Sequence, residues 1–597
     1  MCGFLGSITT EKISEVAFKE CNKRIECRGP DEKKFIINKY YESDKLFYNL
    51  AFNRLSIIDL SQEASQPMLS KKYRSLIMFN GEIFNHRELR NKLEKKKVKF
   101  FTSHSDTEVL LNGLSFYGMN FLNEINGQFA IFFVDSINND FYLIRDRAGQ
   151  KPLYYHINNK NLYFGSDLQS VKNLSQKNNI NNRQIINYLN FGTSISPDSF
   201  YEDISTVQPG EYLKISTKNN RFIKNNKRYW NISSFIDDKK FNQDEFINLF
   251  EDSVEIRLES DVPISNFLSG GLDSTSIIKA TSKKISNINT FSMITDSKSY
   301  NETEFMDKVV SKYKTNHKVE KISSKIKFSE LKNILCMYDD IISDPSIIPT
   351  FILSNKISKY YKVAISGDGG DELLSGYDHY INFFKTKKIP SKLVNSIFNI
   401  YPSYLGTGNN FVKYSTDWKT AFASYYGDKQ FMKLLGITSF NTFEDIYLEK
   451  KEKDWKSIGI TDYEFFLNEM MLKKIDRSSM LNSLEIRSPF VDYRLFEYIM
   501  SHSNFNEGDI FTPKKIIKNY LSSDFQNDFL ERKKMGFSID IKSVVNLNQN
   551  EIFESIYSSR LNKDFDLSKV NLLLKANTRI NSIRIWKLFC LSLYLKH

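Results

Sequence analysis

Leu268-Ser269-Gly270-Gly271-Leu272-Asp273-Ser274 decides how the larger half of this 597-residue chain is read. The stretch ends an apolar, β-branched run over residues 262–268 and opens a helical one. Glycines without a Cβ let backbone N–H groups close on an anion. The hydroxyls of Ser269 and Ser274 add donors, and the helix start contributes the positive end of its dipole. A phosphate pocket is therefore expected here, with an ordinary glycine turn and helix cap as the alternative. The lysine of the Walker loop is missing, which argues against γ-phosphate transfer of the kinase type. Asp273 would repel a polyphosphate unless a cation stood between them, so it is a candidate Mg2+ ligand.

Residues 289–294 and 362–366 read as further strands separated by helical stretches. That alternation predicts a largely parallel sheet covered by helices. A second glycine turn, Ser366-Gly367-Asp368-Gly369-Gly370-Asp371-Glu372, follows the later strand. Three acids among three glycines crowd like charges unless something positive sits between them, and a magnesium–nucleotide complex would supply that charge. Parallel strands would set both loops at the carboxyl edge of one sheet, where open α/β sheets bind their ligands. From about Thr386 the chain reads mostly helical. It ends in a segment with Ile583, Trp586, Cys590 and Leu593 at helical spacing, a core face rather than a cofactor contact.

Toward the amino terminus the pattern changes. Residues 46–60 and 76–83 read as strands joined by tight loops, helical patterns cover 88–97 and 107–117, and strands are expected at 127–135, 140–145 and 161–166. This is a strand-rich α+β unit. A polar, Lys/Asn-rich passage over 216–240 marks the domain boundary.

Cys2 gives this unit its chemistry. If Met1 is removed, a thiol and a free α-amine share one carbon. The amine, with an ordinary pKa of about 7.7–8.0, can take the thiol proton near neutral pH. Thiolate attack on an amide carbonyl builds an oxyanion that needs fixed donors, and Asn80-Gly81 offers a side-chain amide and an unobstructed backbone N–H. Arg54 is suited to a carboxylate, while Glu82 and Asp106 can accept from an ammonium. Together these are handles for a free α-amino acid with an amide tail. Read singly, each is a turn residue or a surface charge. Ser103-His104-Ser105-Asp106 contains the letters of a triad, but consecutive residues converge poorly and the run is discounted.

Composition narrows the class. A chain 41% hydrophobic and 14% aromatic is globular, and long enough for more than one core. The longest apolar runs fall far short of the roughly 20 residues that span a bilayer, so a soluble protein is expected, with no membrane partner. Five cysteines without metal spacing fit a reducing cytoplasm. The net charge of +12 is spread along the sequence. Its densest cluster, Lys95-Lys96-Lys97-Val98-Lys99, lacks interleaved aromatics, so a nucleic-acid partner is not expected.

In order along the chain, Met1-Cys2-Gly3, Arg28-Gly29-Pro30-Asp31, Asn53-Arg54-Leu55-Ser56-Ile57, Asn80-Gly81-Glu82-Ile83-Phe84-Asn85, Ser105-Asp106-Thr107-Glu108 and Arg145-Asp146-Arg147 resemble the glutaminase half of the glutamine-dependent asparagine synthetases of bacterial type. The synthetase half of that family is resembled by 269–274, 366–377, Asp476-Arg477-Ser478-Ser479-Met480, Glu485-Ile486-Arg487-Ser488-Pro489-Phe490 and Arg532-Lys533-Lys534-Met535-Gly536-Phe537.

The resemblance implies two domains. Residues 2–215 would form a glutamine amidotransferase of the amino-terminal-nucleophile (Ntn hydrolase) kind, an αββα sandwich. Residues 235–597 would form a pyrophosphatase-loop (PP-loop) α/β domain with a helical carboxy-terminal part. Cys2 would free ammonia from glutamine through a glutamyl thioester, and ATP would activate the side-chain carboxylate of aspartate as an acyl-AMP. Ammonia would then pass through an internal tunnel and yield asparagine.

Carried over by position, Arg54, Leu55, Ser56, Ile57, Ile58, Asn80, Gly81, Glu82 and Asp106 would hold glutamine. Leu268, Ser269, Gly270, Gly271, Asp273, Ser274, Met293, Ser366 and Gly367 would line the ATP site, with Asp273 and Asp371 on Mg2+. Lys534 would stabilise charge on the phosphate, Asp368 would assist the adenylate step, and a homodimer is implied. Two positions depart from the family pattern: Cys27 stands where many relatives have His, and Asp368 where some have Glu. Family members that amidate sugar acids of surface polysaccharides carry almost the same motifs, which leaves such an acceptor as the alternative to aspartate.

Overall fold

The computed structural model describes residues 2–41, 45–218, 221–237, 239–295, 302–323, 325–377, 383–384, 388–502, 514–532 and 539–595. Among the described residues of the amino-terminal half, twelve strands build two antiparallel sheets: β1 (Gly3–Thr9), β2 (Glu32–Tyr41), β3 (Leu46–Arg54), β4 (Met68–Ser70), β5 (Ser75–Ile83), β6 (Gly127–Asp135), β7 (Asp140–Arg145), β8 (Tyr154–Ile157), β9 (Leu162–Gly165), β10 (Ser205–Thr206), β11 (Glu211–Lys218) and β12 (Arg221–Arg228). One sheet runs β10-β8-β9-β1-β3-β2 and the other β12-β11-β7-β6-β5-β4.

Strand alternation explains how they pack. In β1 the residues Phe4 and Ile8 face the second sheet, where Met78, Ala130, Phe132 and Leu143 meet them. Leu5 points the other way, into a cluster with Phe18, Leu168 and Tyr188. On the far side, Val109, Leu110 and Leu114 of the helix Asp106–Tyr117 cover Ile77, Phe79 and Ile131. The result is the expected four-layer αββα sandwich. The same two-residue period places Cys2 on the inter-sheet face with Phe4 and Ile8.

The second half holds a five-stranded sheet in the order β15-β14-β13-β16-β17, formed by β13 (Ile264–Phe267), β14 (Asn289–Thr295), β15 (Asn316–Ile322), β16 (Val363–Ile365) and β17 (Glu485–Arg487). Every pairing in it is parallel. Three of the five strands follow from the sequence pattern. β15 does not, because its residues are polar and sit at the sheet edge. β17 lies in the stretch read as helical, and it corrects that reading: three residues are too few to carry a period, and only pairing with β16 makes them a strand.

The final helix, Arg579–Tyr594, packs as expected. Trp586, Cys590 and Leu593 are buried with Tyr188 and Val171 of the sandwich, so one apolar cluster crosses between the halves. No helix among the described residues is long and apolar enough to cross a membrane.

Candidate functional site

The first site surrounds Cys2, which is buried at the mouth of β1. Its backbone N–H donates to Asn80 Oδ1 at 3.1 Å, and Arg28 Nε donates to its carbonyl at 3.2 Å. Arg54, Leu55, Ile57, Ile58, Gly81, Glu82 and Asp106 line a small pocket beside the sulfur. Ser56 instead faces away, its N–H donating to Asp31 Oδ2 at 2.7 Å. Gly81 is required by crowding, since a Cβ there would meet Gln128 O at 2.0 Å.

Among the polar atoms buried here without a partner in the described residues are Asn80 Nδ2, a donor, and Glu82 Oε1, an acceptor. Buried polar groups are normally hydrogen-bonded, so each calls for a partner such as water or a ligand. Burial pushes the Cys2 thiol up, against the pull of the Leu55 backbone and Arg54.

Arg54 spends part of its guanidinium on its own loop, donating to the carbonyl of Asp59 and to that of Ser61 at 2.7 Å. Asp106 accepts from Ile83 N–H at 3.2 Å. Ser103 Oγ does meet His104 Nδ1, at 2.6 Å, but the carboxylate on that ring is Asp261, not Asp106.

The second site lies where β13 and β16, neighbours in the sheet, end in their glycine turns. Gly270 has φ +74°, a left-handed value natural to glycine, and lets the turn pass close to Met306. Ser269 Oγ accepts from Gly271 N–H at 3.2 Å and lies 3.2 Å from Ser274 Oγ, so the turn is braced from within. Asp273 stands in the first turn of the helix Leu272–Ser282. The second turn packs directly against it: a Cβ on Gly367 or Gly370 would come within 2.9 Å of the Asp273 side chain. Leu268 is buried at the end of β13, and Ser366 Oγ donates to Asp368. Met293 on β14 packs toward Phe291 and Ile486. Lys534 lies outside the described residues.

Lys514 belongs to this site and carries no local sequence signal. Its ammonium pairs with Asp273 and, at 2.7 Å, with Asp371. Burial works against that charge, but the two carboxylates reverse the effect and raise the lysine above its ordinary value. Asp273 and Asp371 thus converge on one cationic position. The Lys514 ammonium fills that position, so a Mg2+ ion, which takes one or two protein carboxylates and completes its shell with water and substrate phosphates, would have to share these carboxylates with it.

Buried charge joins the two sites. Arg487 on β17 pairs with Glu485 at 2.6 Å and with Glu82 of the Cys2 pocket at 3.4 Å, while its carbonyl accepts from Ser366 N–H at 2.9 Å. Glu485, opposed by burial but held by neighbouring cations that include Arg487 and Lys151, is lowered to about 2. These residues lie in motifs visible in the sequence, but their pairing across the seam is not.

A glutamine amidotransferase domain model matches residues 1–230 and an asparagine synthase model matches 245–596. Asparagine synthetase [glutamine-hydrolyzing] 1 of Bacillus subtilis (strain 168) is 28% identical, covering 98% of this chain and 95% of its own length. Putative asparagine synthetase [glutamine-hydrolyzing] 2 of Methanocaldococcus jannaschii is 32% identical over 67% of this chain and 83% of its own. A more distant relative, amidase chyE of Penicillium rubens, is 24% identical over 79% and 76% respectively. With a thiol pocket in an amidotransferase sandwich and a two-loop site on a parallel sheet, the chain belongs to the asparagine synthase family.

Proposed function

We propose that the chain is a glutamine-hydrolysing asparagine synthetase. It would convert ATP, aspartate, glutamine and water to asparagine, glutamate, AMP and pyrophosphate. The observation that carries this reading is the unpartnered Asn80 Nδ2 beside Cys2: a buried donor, free of other work, where an oxyanion would form.

With Met1 removed, the Cys2 α-amine takes the thiol proton and the sulfur attacks the side-chain amide carbon of glutamine. Asn80 Nδ2 and the Gly81 N–H hold the developing oxyanion, and Asn80 Oδ1 fixes the amine. Collapse expels ammonia and leaves a glutamyl thioester, which water hydrolyses. Glu82 and Asp106 receive the substrate ammonium, and Arg54 its carboxylate.

In the second site the aspartate side-chain carboxylate attacks the α-phosphorus of ATP, and pyrophosphate leaves. Ammonia then displaces AMP from the acyl-adenylate. The loop hydroxyls and N–H groups of 269–274 and 366–367 hold phosphate oxygens, Asp368 assists the adenylate step, and Lys534 balances charge on the phosphate. Mg2+ held by Asp273 and Asp371 would neutralise the leaving pyrophosphate. Lys514 holds these carboxylates together as a fixed cation.

The purified chain incubated with ATP, Mg2+, glutamine and aspartate should release asparagine and pyrophosphate. Glutaminase turnover without aspartate-dependent pyrophosphate release would overturn the aspartate assignment and point to another carboxylate, such as a sugar acid.

A further inference from the structure

We infer that Asp261, a residue of the synthetase half, positions the donor-binding loop of the glutaminase half. The inference rests on the reading that residues 54–58 hold glutamine.

That loop is bound from outside its own domain. Asp261 N–H donates to the Ile57 carbonyl at 3.0 Å, and the Asp261 carboxylate accepts from Asp59 N–H at 2.7 Å. The same carboxylate oxygen meets His104 Nε2 at 2.7 Å. On the other side of the ring, His104 Nδ1 lies 2.6 Å from Ser103 Oγ, which donates to Asp59 Oδ2 at 3.3 Å. Asp261 thus ties together two segments of the glutaminase half, the loop and the turn before the helix Asp106–Tyr117.

Asp59 is where the tie acts. It has φ +52°, a left-handed conformation that non-glycine residues hold only when their surroundings impose it. The surroundings do so here. Its N–H is taken by Asp261, its carboxylate accepts from Ser61 N–H at 3.2 Å and from His104 N–H at 3.4 Å, and its carbonyl accepts from Arg54. Burial works against the Asp59 charge, yet hydrogen bonds from Ser61 and His104 lower its pKa. Releasing Asp261 frees one end of a chain of contacts whose other end is the Arg54 guanidinium in the Cys2 pocket.

Packing carries the same message. Leu55, Ile57 and Ile58 form a cluster with Val363 of β16 and Met480, with Val262 against them. The apolar side of the donor loop is therefore seated on the synthetase sheet, and Asp261, one residue before Val262, locks its backbone. Asp261 does not itself line the pocket and reaches it only through the backbone of Ile57, so it is a positioning residue.

The test compares the full chain with Asp261→Ala and Asp261→Asn, measuring glutaminase kinetics and ammonia-driven synthesis. Asp261→Ala should raise the glutamine KM about tenfold, two lost hydrogen bonds of modest net value, with kcat at saturating glutamine and ammonia-driven synthesis within about twofold of the parent. Asp261→Asn keeps an acceptor for Asp59 N–H and should recover most of the KM. An unchanged KM in Asp261→Ala, or a parallel loss of both activities, overturns the inference. A parent chain that turns over no glutamine overturns the functional reading instead.

Discussion

Arg28 and Asp476 form a buried, two-pronged ion pair across the seam, at 2.9 and 3.2 Å, while Arg28 Nε holds the carbonyl of Cys2. Lys151 approaches the same carboxylate at 3.5 Å. The Cys2 backbone of one half is thereby braced by a carboxylate of the other.

Removing that carboxylate leaves two buried cations uncompensated. Asp476→Ala should cost about 3–5 kcal/mol of stability, measured by urea unfolding. Arg28 and Lys151 overcome the burial penalty and hold the Asp476 carboxyl below its ordinary value. The stabilisation it gives is therefore complete above about pH 4, the ordinary aspartate range, and is lost as pH falls through the lower folded value. The stability gap between the parent and Asp476→Asn should shrink only on that acid side. A gap that closes near neutrality would contradict the pairing.

Asn80→Ala should lower glutamine-driven turnover by about 10²–10³, the usual cost of one oxyanion donor. Cys2→Ala should abolish it. Ammonia-driven synthesis should survive in both, since neither residue reaches the nucleotide loops. Loss of ammonia-driven synthesis in Cys2→Ala would refute the division of labour between the halves.

Asp273→Asn should remove ATP–pyrophosphate exchange while sparing glutaminase turnover, because it takes charge from the position that Asp273 and Asp371 share. Unchanged exchange would withdraw Asp273 from the magnesium role.

What the sequence revealed and what it hid divide along physical lines. The turns at 268–274 and 366–372 were legible because glycine, hydroxyl and acid at fixed spacing determine local backbone and charge without help from the rest of the chain. Lys514 was not, since a lysine ahead of a helix looks like any other until the fold sets it between two aspartates. The polar edge strand β15 and the three-residue β17 depend on their neighbours in the sheet rather than on any pattern of their own. The seam is the extreme case: Arg28 and Asp476 stand 448 residues apart, and nothing local to either foretells the pair.

The pH dependence of glutamine use tests the other carboxylate of the Cys2 pocket. Burial raises the Glu82 carboxyl well above the ordinary glutamate value, Asp106 and Glu485 add to the effect, and Arg487 opposes it. Only the ionised form can receive a substrate ammonium, so kcat/KM for glutamine should fall as pH drops through this raised value. The acid limb should thus lie above about pH 4.3, where an ordinary glutamate would place it. Because Asp106 is also raised by burial, the limb reports the pair rather than one residue. Glu82→Gln should lower kcat/KM at neutral pH and move the limb to lower pH, leaving Asp106 to titrate without a charged neighbour. A limb that stays in place would assign it to another group.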